Sequence, residues 1–221
     1  MTVEPERIAL VTGASRGLGY AVAARLGAAG WHVVAMARTV GGLEDLADCI
    51  EASGGPTPTL VPLSITDEGG LQRMCLALHQ RWGHVDLVVH CAADAPPLSP
   101  APHVADKDFD RAVDVNLRGT RLMVTMLQPL LSAAEGGRFV HITDDRSGHP
   151  FFGAYGATKE AGSTFVRSWA DETRQIGPEV TLFHPRPMPT ALRARFYPGE
   201  NRAELTGCDT EAARLIADLG L

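Results

Sequence analysis

The chain has 221 residues, 45% of them hydrophobic, and a formal net charge of -6. This length predicts one domain over residues 1–221, and an acidic balance without a basic block argues against binding to nucleic acid or to an anionic membrane. The four cysteines are scattered singly and the histidines are dispersed, which favours a reducing cytoplasm and predicts no metal site. Because no segment has the length of an apolar membrane span, and residues 1–5 do not look like a signal peptide, we expect a cytoplasmic protein.

Apolar runs and helical periodicities alternate along the chain. The runs that suit buried parallel strands are Ile8–Val11, His32–Ala37, Thr59–Leu63, Leu87–His90, Phe139–Ile142 and Val180–Phe183. Helical patterns lie at Leu18–Ala29, Gly42–Ser53, Glu68–Trp82, Phe109–Ala133, Gly153–Ile176 and Thr210–Leu219. This alternation predicts an α/β fold, namely a doubly wound, Rossmann-type parallel sheet of about six strands with helices on both faces.

The first predicted strand leads into a glycine-rich turn that opens the first predicted helix. Glycines let backbone N–H groups approach a phosphate closely, and the positive end of a helix attracts the same anion. The turn therefore predicts a nucleotide-phosphate site, with an ordinary tight turn as the alternative. Its residues are Gly13, Ser15, Arg16, Gly17, Leu18 and Gly19.

Tyr155 and Lys159 are one helical turn apart, so their side chains should lie on one face of the helix. The Lys159 ammonium would then favour the ionised phenol and lower the pKa of Tyr155. Such a phenol can give a proton to a carbonyl oxygen and recover it, which is general acid catalysis. The alternative is a surface pair without a function.

Three motifs together resemble the short-chain dehydrogenase/reductase family over nearly the whole chain. They are the glycine run, the sequence Asp-Val-Asn-Leu around Asn116, and the tyrosine and lysine of Tyr155-Gly-Ala-Thr-Lys159. The resemblance implies a nicotinamide cofactor that exchanges hydride with a small-molecule carbonyl or alcohol. It also implies that Lys159 holds the nicotinamide ribose and that Asn116 keeps a water in the proton relay.

The sequence departs from the family at the catalytic serine. The usual position, at the end of the strand before the tyrosine, is Ile142, and the nearest hydroxyl belongs to Thr143. With a loop one residue shorter than usual, Thr143 would donate a hydrogen bond to the substrate oxygen, and Ser147 is a weaker substitute. Asp144 and Asp145 are interpreted as solvated loop carboxylates, although pointing inward they would bring negative charge close to the reacting oxygen.

Cofactor choice follows from two arginines. Family members that prefer NAD usually carry an acidic residue after the second strand, where this chain has Arg38, and Arg16 lies in the glycine turn. Two guanidinium groups suit a ribose 2′-phosphate, so we expect NADP(H) to be preferred, with NAD(H) possible. The alternative for Arg16 is that it only decorates a solvated helix start.

Further cofactor contacts are implied by the resemblance. They fall on Ser64 and Ile65 after the third strand, Cys91 and Ala92 after the fourth, and Pro185, Met188 and Thr190 after the sixth. Cys91 is interpreted as a small buried hydrophobe rather than a reactive thiol. The backbone N–H of Met188, between two prolines, remains available to meet the nicotinamide carboxamide.

The last part of the chain predicts a substrate loop at about residues 185–206, and we expect the family's seventh strand to be absent. By resemblance we expect a homodimer through the two long helices around Asn116 and Tyr155. Two functions are consistent with the sequence. One is an NADP(H)-dependent carbonyl reductase or alcohol dehydrogenase; the other is a dinucleotide-binding sensor or interaction protein that has lost turnover.

Overall fold

A computed structural model describes residues 7–221 and confirms the predicted fold class. One sheet of six parallel strands has the order β3-β2-β1-β4-β5-β6. The strands are β1 Ile8–Thr12, β2 His32–Ala37, β3 Thr59–Pro62, β4 Leu87–His90, β5 Arg138–Ile142 and β6 Glu179–Phe183. The predicted strands are therefore correct to within one residue at each end.

Eight α-helices accompany the sheet within residues 7–221. They are α1 Gly17–Ala28, α2 Gly41–Ala52, α3 Glu68–Trp82, α4 Asp106–Ala112, α5 Thr120–Ser132, α6 Gly153–Thr173, α7 Ala191–Phe196 and α8 Cys208–Asp218. Short 3₁₀ turns cover Ala101–His103 and Arg202–Glu204. None of the helices in this range is long and apolar enough to cross a membrane.

The strands divide their side chains between two apolar cores. On β1, Ala9 and Val11 pack on the side of α1, α2 and α8, whereas Ile8 and Leu10 pack on the side of α3, α5 and α6. Successive strand residues point to opposite faces, so a strand buried on both faces must be apolar throughout. This is why the strands read as continuous apolar runs in the sequence.

Two local predictions were wrong. The helix predicted over Phe109–Ala133 is divided by a wider π-helical segment, Val113–Gly119, that contains Asn116. The segment after β6 that was predicted as a substrate loop contains α7. Thr190 caps the start of this helix, and its hydroxyl accepts from the Arg193 N–H at 3.1 Å. A short helix with one capping residue gives too few apolar repeats to be recognised in a sequence.

The direction of winding changes between β1 and β4, which are neighbours in the sheet. In open parallel sheets ligands bind at the carboxyl ends of the strands beside such a switch point. The glycine turn follows β1 there. The loops after β4, β5 and β6 end at the same edge.

Candidate functional site

A cavity of about 610 Å³ lies at the carboxyl ends of the strands. Every residue predicted to bind the cofactor lines it, as does Thr143, whereas Asn116 is buried behind the wall. The residues thus brought together are Gly13, Ser15, Arg16, Gly17, Leu18, Gly19, Arg38, Ser64, Ile65, Cys91, Ala92, Thr143, Tyr155, Lys159, Pro185, Met188 and Thr190. A site of this size suits a small-molecule ligand or cofactor.

The backbone atoms of the glycine turn pack so closely that side chains in place of its glycines would disrupt the turn. Gly13 has φ +69°, and a Cβ on it would lie 3.0 Å from the Ala92 N at the end of β4. A Cβ on Gly19 would lie 2.5 Å from the Gly13 carbonyl oxygen. The turn therefore leaves α1 with its N-terminus at the cavity, where free N–H groups favour an anion.

Arg16 and Arg38 line this end of the cavity and are exposed. Within residues 7–221 neither forms a salt bridge. Both guanidinium groups are therefore available to an anionic ligand.

Beyond the glycine turn, Ser64 and Ile65 form one wall and Cys91 and Ala92 another. The Ser64 hydroxyl lies 2.8 Å from that of Thr66. Burial raises the pKa of the Cys91 thiol to about 12. Cys91 is thus a neutral thiol near neutral pH, as expected of a small hydrophobe.

The segment after β6 is held in place from its C-terminal side. Glu211 of α8 is fully buried, and its carboxylate accepts from the Arg186 N–H at 3.0 Å and from Arg214 at 2.7 Å. The Pro187 carbonyl accepts from the Thr206 N–H at 3.1 Å. These contacts fix the backbone between Pro185 and Thr190. The role of Glu211 could not be predicted from the sequence because Arg186 is 25 residues away from it in the chain.

Tyr155 lies at the opposite end of the cavity and is almost completely buried. Its hydroxyl donates to Asp144 Oδ2 at 2.8 Å. Burial, followed by the charge and hydrogen bond of Asp144, raises the pKa of Tyr155 well above its usual value. The predicted lowering by Lys159 is therefore wrong for this arrangement, and so is the interpretation of Asp144 as a solvated loop carboxylate.

Lys159 follows Tyr155 on α6 and lines the same cavity, although its side chain is also buried. Burial lowers the pKa of Lys159 to about 8, against an opposing influence of the Asp144 charge. A buried ammonium with so low a pKa is stabilised by any acceptor that a ligand brings to it.

Thr143 directly follows β5, but its hydroxyl does not reach Tyr155. It donates instead to the Phe183 carbonyl oxygen of β6 at 3.2 Å and lies 3.4 Å from His184 Nδ1. The prediction that Thr143 supplies the group beside Tyr155 is corrected by this geometry. The next residue, Asp144, occupies that position because it turns inward where Thr143 faces the neighbouring strand.

Asn116 connects three parts of the site. Its side-chain oxygen accepts from the Asp94 N–H at 2.8 Å, and its amide donates to the Asp94 carbonyl at 3.0 Å and to Thr158 at 3.1 Å. Its backbone carbonyl accepts from Thr120 at 2.8 Å. Asn116 thus ties the loop after β4 to α6, the helix that carries Tyr155 and Lys159.

His90 is the last residue of β4, and it is completely buried below the cavity. Its ring nitrogens lie 2.9 Å from the Thr12 hydroxyl and 3.1 Å from the Thr120 hydroxyl. Burial and the charge of Lys159 lower the pKa of His90 to about 3, so the ring is neutral. It links the end of β1 to the start of α5.

Aromatic side chains cover the Tyr155 end of the cavity. Phe196 of α7 lies with its ring centroid 4.8 Å from that of Tyr155 and 4.9 Å from that of Phe152. Phe196 and Tyr197 line the cavity, whereas Phe151 is exposed. Two residues of the predicted substrate loop thus form an aromatic wall of the cavity.

The chain is similar to known proteins of one family. Residues 7–201 match the short chain dehydrogenase family. The chain belongs to the short chain dehydrogenases. An uncharacterized oxidoreductase of Staphylococcus aureus strain MW2 is 28% identical over 220 residues, which cover 98% of this chain and 93% of that protein.

Solved structures of this family have the same fold. One assigned as a short chain dehydrogenase from Pseudomonas syringae gives a TM-score of 0.90 at 28% identity and covers 97% of this chain and 91% of that chain. Another assigned in the same way, from Shigella flexneri 2a and complexed with NADP, gives a TM-score of 0.87 at 26% identity and covers 92% and 87% of the two chains. The chain is therefore an oxidoreductase of a family that uses nicotinamide cofactors.

Proposed function

We propose that this short chain dehydrogenase is an NADP(H)-dependent oxidoreductase that interconverts a carbonyl compound and an alcohol. The observation that carries the proposal is that Tyr155 and Lys159 line the same cavity as the glycine turn. A proton donor and a phosphate-binding turn thus face one continuous space.

The residues present fit a dinucleotide. Gly13 and Gly19 leave the turn backbone open to a phosphate, and a Cβ on Gly19 would overlap the Gly13 carbonyl. Arg16 and Arg38 would hold a 2′-phosphate, which favours NADP(H) over NAD(H). The Shigella flexneri structure, complexed with NADP, supports the same choice.

When bound, the nicotinamide supplies or accepts hydride. Tyr155 provides the proton at the substrate oxygen, and Lys159 holds the ribose and stabilises the phenolate that remains. Asn116 keeps α6 in register with the loop after β4. Asp144 must release the phenol before the phenol can serve a substrate, because the hydroxyl proton lies between them in the absence of ligand.

The proposal is tested by titrating the protein with NADPH and NADH and by following nicotinamide absorbance with a panel of aromatic and aliphatic carbonyl compounds. Micromolar binding of NADPH with oxidation by one class of carbonyl is the expected result. Failure to bind either dinucleotide would overturn the assignment.

One observation favours a second function. Because Asp144 and burial raise the pKa of Tyr155, the phenol is a poorer acid than in the predicted arrangement. A protein that binds NADP(H) without turnover would serve as a sensor. Such a protein would bind NADPH in the titration but leave it reduced with every carbonyl tested.

We also propose a homodimer through the two long helices around Asn116 and Tyr155, which are the helical run from α4 to α5 and α6. Phe165 on α6 and Phe109 on α4 leave 37% and 44% of their surfaces exposed. Apolar side chains of this size on neighbouring helices suit burial against a second copy. Light scattering on a size-exclusion column should give the mass of a dimer, and Phe165→Glu should reduce that mass to one chain.

A further inference from the structure

A carboxylate faces the reacting end of the cavity where a hydroxyl was expected. Asp144 Oδ2 accepts the Tyr155 hydroxyl at 2.8 Å, and the Asp144 side chain is 27% exposed. A hydroxyl can donate to a carbonyl oxygen, whereas an ionised carboxylate only accepts hydrogen bonds. A neutral ketone therefore finds one donor fewer here and has to separate Tyr155 from Asp144 without replacing the bond.

The arginines nearby have carboxylate partners of their own. Arg146 Nε lies 2.8 Å from Asp145 Oδ1 and 3.6 Å from Asp144 Oδ1. Arg193 makes two hydrogen bonds of 2.6 Å to Glu200. The Oδ2 oxygen of Asp144 is thus left with the phenol of Tyr155 as its hydrogen-bond donor among the described residues.

Aromatic rings line the same end of the cavity. Phe196 and Tyr197 line the cavity beside Tyr155, and the Arg193 guanidinium lies 4.6 Å from the centroid of the Tyr197 ring. This wall already accommodates one cation. A carboxylate beside aromatic faces is the chemistry that recognises an organic ammonium group.

Further charged groups that line the cavity are Lys159 on α6, Arg195 on α7, and Arg111, which is paired with Asp94. Lys159 is assigned to the cofactor ribose under the proposed function. Arg195 is exposed, so solvent screens its charge. His184, after β6, lies against Thr143 rather than Tyr155.

We propose that the substrates carry a protonated amine on the carbon next to the carbonyl or carbinol, and that Asp144 binds this ammonium. The inference rests on the proposed function and names its substrate class as aromatic amino ketones and amino alcohols. The ammonium N–H replaces the phenol O–H on Asp144 Oδ2, and the released phenol turns to the substrate oxygen on the neighbouring carbon. The substrate thus frees the acid that protonates it.

Calorimetric titration of the protein without cofactor tests the recognition step. The probes are 2-amino-1-phenylethanol, its N-acetyl derivative and 1-phenylethanol, which share the ring and hydroxyl but differ in charge. We expect the amine to bind at least about tenfold more tightly than either neutral probe, a difference that one charge-assisted hydrogen bond supplies. Equal affinities of the three probes would overturn the inference.

Variants at Asp144 test which carboxylate is responsible. Asp144→Asn should bring the affinity ratio of amine to alcohol close to one, whereas Asp145→Asn, in the same loop but paired with Arg146, should keep it. Asp144→Ser should raise kcat/KM for acetophenone relative to 2-aminoacetophenone, since a hydroxyl donates to a neutral ketone. A preference for the amine that persists in Asp144→Asn would contradict the assignment, and the N-acetyl probe gives the same test if the variants do not fold.

The two proposals fail in different ways. Reduction of acetophenone and 2-aminoacetophenone with equal kcat/KM in the unmodified protein would leave the oxidoreductase in place and remove the ammonium site. Tight binding of the amine without any binding of NADPH would retain the ammonium site and remove the proposed function.

Discussion

The glycine-turn side and the Tyr155 side of the cavity are built in different ways. On the glycine-turn side, the cavity wall is formed by the backbone of β1, α1 and the turn between them. The shape of this wall depends on glycines at which a Cβ would clash. On the second side, α6, α7 and the loop after β5 present side chains, among them Tyr155, Asp144 and Phe196. Few sequences can adopt a tight backbone turn of this kind, whereas single side chains can be substituted while the backbone stays unchanged. The first side accordingly follows the glycine pattern of the family, whereas the second keeps Tyr155 and Lys159 but has Asp144 in contact with Tyr155 where a hydroxyl was expected.

The largest effect should come from Tyr155 itself. Tyr155→Phe removes the hydroxyl and keeps the ring against Phe196, so turnover should fall about a hundredfold or more. Steady-state kinetics with NADPH and calorimetric NADPH affinity check this, and the affinity should be nearly unchanged. Turnover that survives would require another acid, for which Asp144 is the nearest group.

A substitution in the glycine turn should affect cofactor binding on the opposite side of the cavity. Gly19→Ala places a methyl group 2.5 Å from the Gly13 carbonyl, so the turn must shift and NADPH affinity should fall more than about tenfold. Gly41→Ala is the matched control, because the space around Gly41 is open. The NADPH affinity of this variant should stay unchanged. Equal effects of the two variants would mean that the turn does not depend on this contact.

Substitution of Arg38 tests how a side chain on the glycine-turn side determines cofactor preference. NADP(H) should bind at least about tenfold more tightly than NAD(H), about 1.4 kcal/mol, and Arg38→Asp should reverse the order. Titration of both dinucleotides against the two proteins measures the ratios. Equal affinities in the unmodified protein would refute the role of the arginines.

Lys159 gives a pH dependence with a defined sign. Its pKa is lowered to about 8 in the ligand-free protein, so the ammonium is present below that pH and is lost as the pH rises through it. If the ammonium holds the ribose, NADPH affinity weakens above about pH 8, and binding near this pH takes up a proton. Calorimetry in buffers of different ionisation enthalpy detects the uptake, and Lys159→Met should abolish it.

The smallest effect is expected at Thr143. Since its hydroxyl donates to the Phe183 carbonyl rather than to Tyr155, Thr143→Val should lower kcat by less than about threefold. A tenfold loss in kcat with unchanged KM would restore Thr143 as the group that orients the substrate. Ser147→Ala, in an exposed part of the loop, serves as the comparison.

The sequence by itself determined the order of strands and helices, the glycine turn and the placement of Tyr155 and Lys159 on one helix. These features are local, because apolar periodicity and backbone conformation depend on residues close together in the chain. They also sufficed to predict that the glycine turn, Arg38 and Ser64 meet at one cavity, since parallel strands end at one edge, but Thr39 and Leu63 line it as well and were not predicted.

Only the tertiary structure decided the electrostatics of the catalytic end. Asp144 and Tyr155 are on separate elements, and their contact depends on a loop whose direction the sequence does not specify. The pKa of Tyr155 follows from that contact and from burial by α7, just as the backbone at Arg186 follows from Glu211 of α8. Charges act through space, so their effect is fixed only when the fold has set the distances between them.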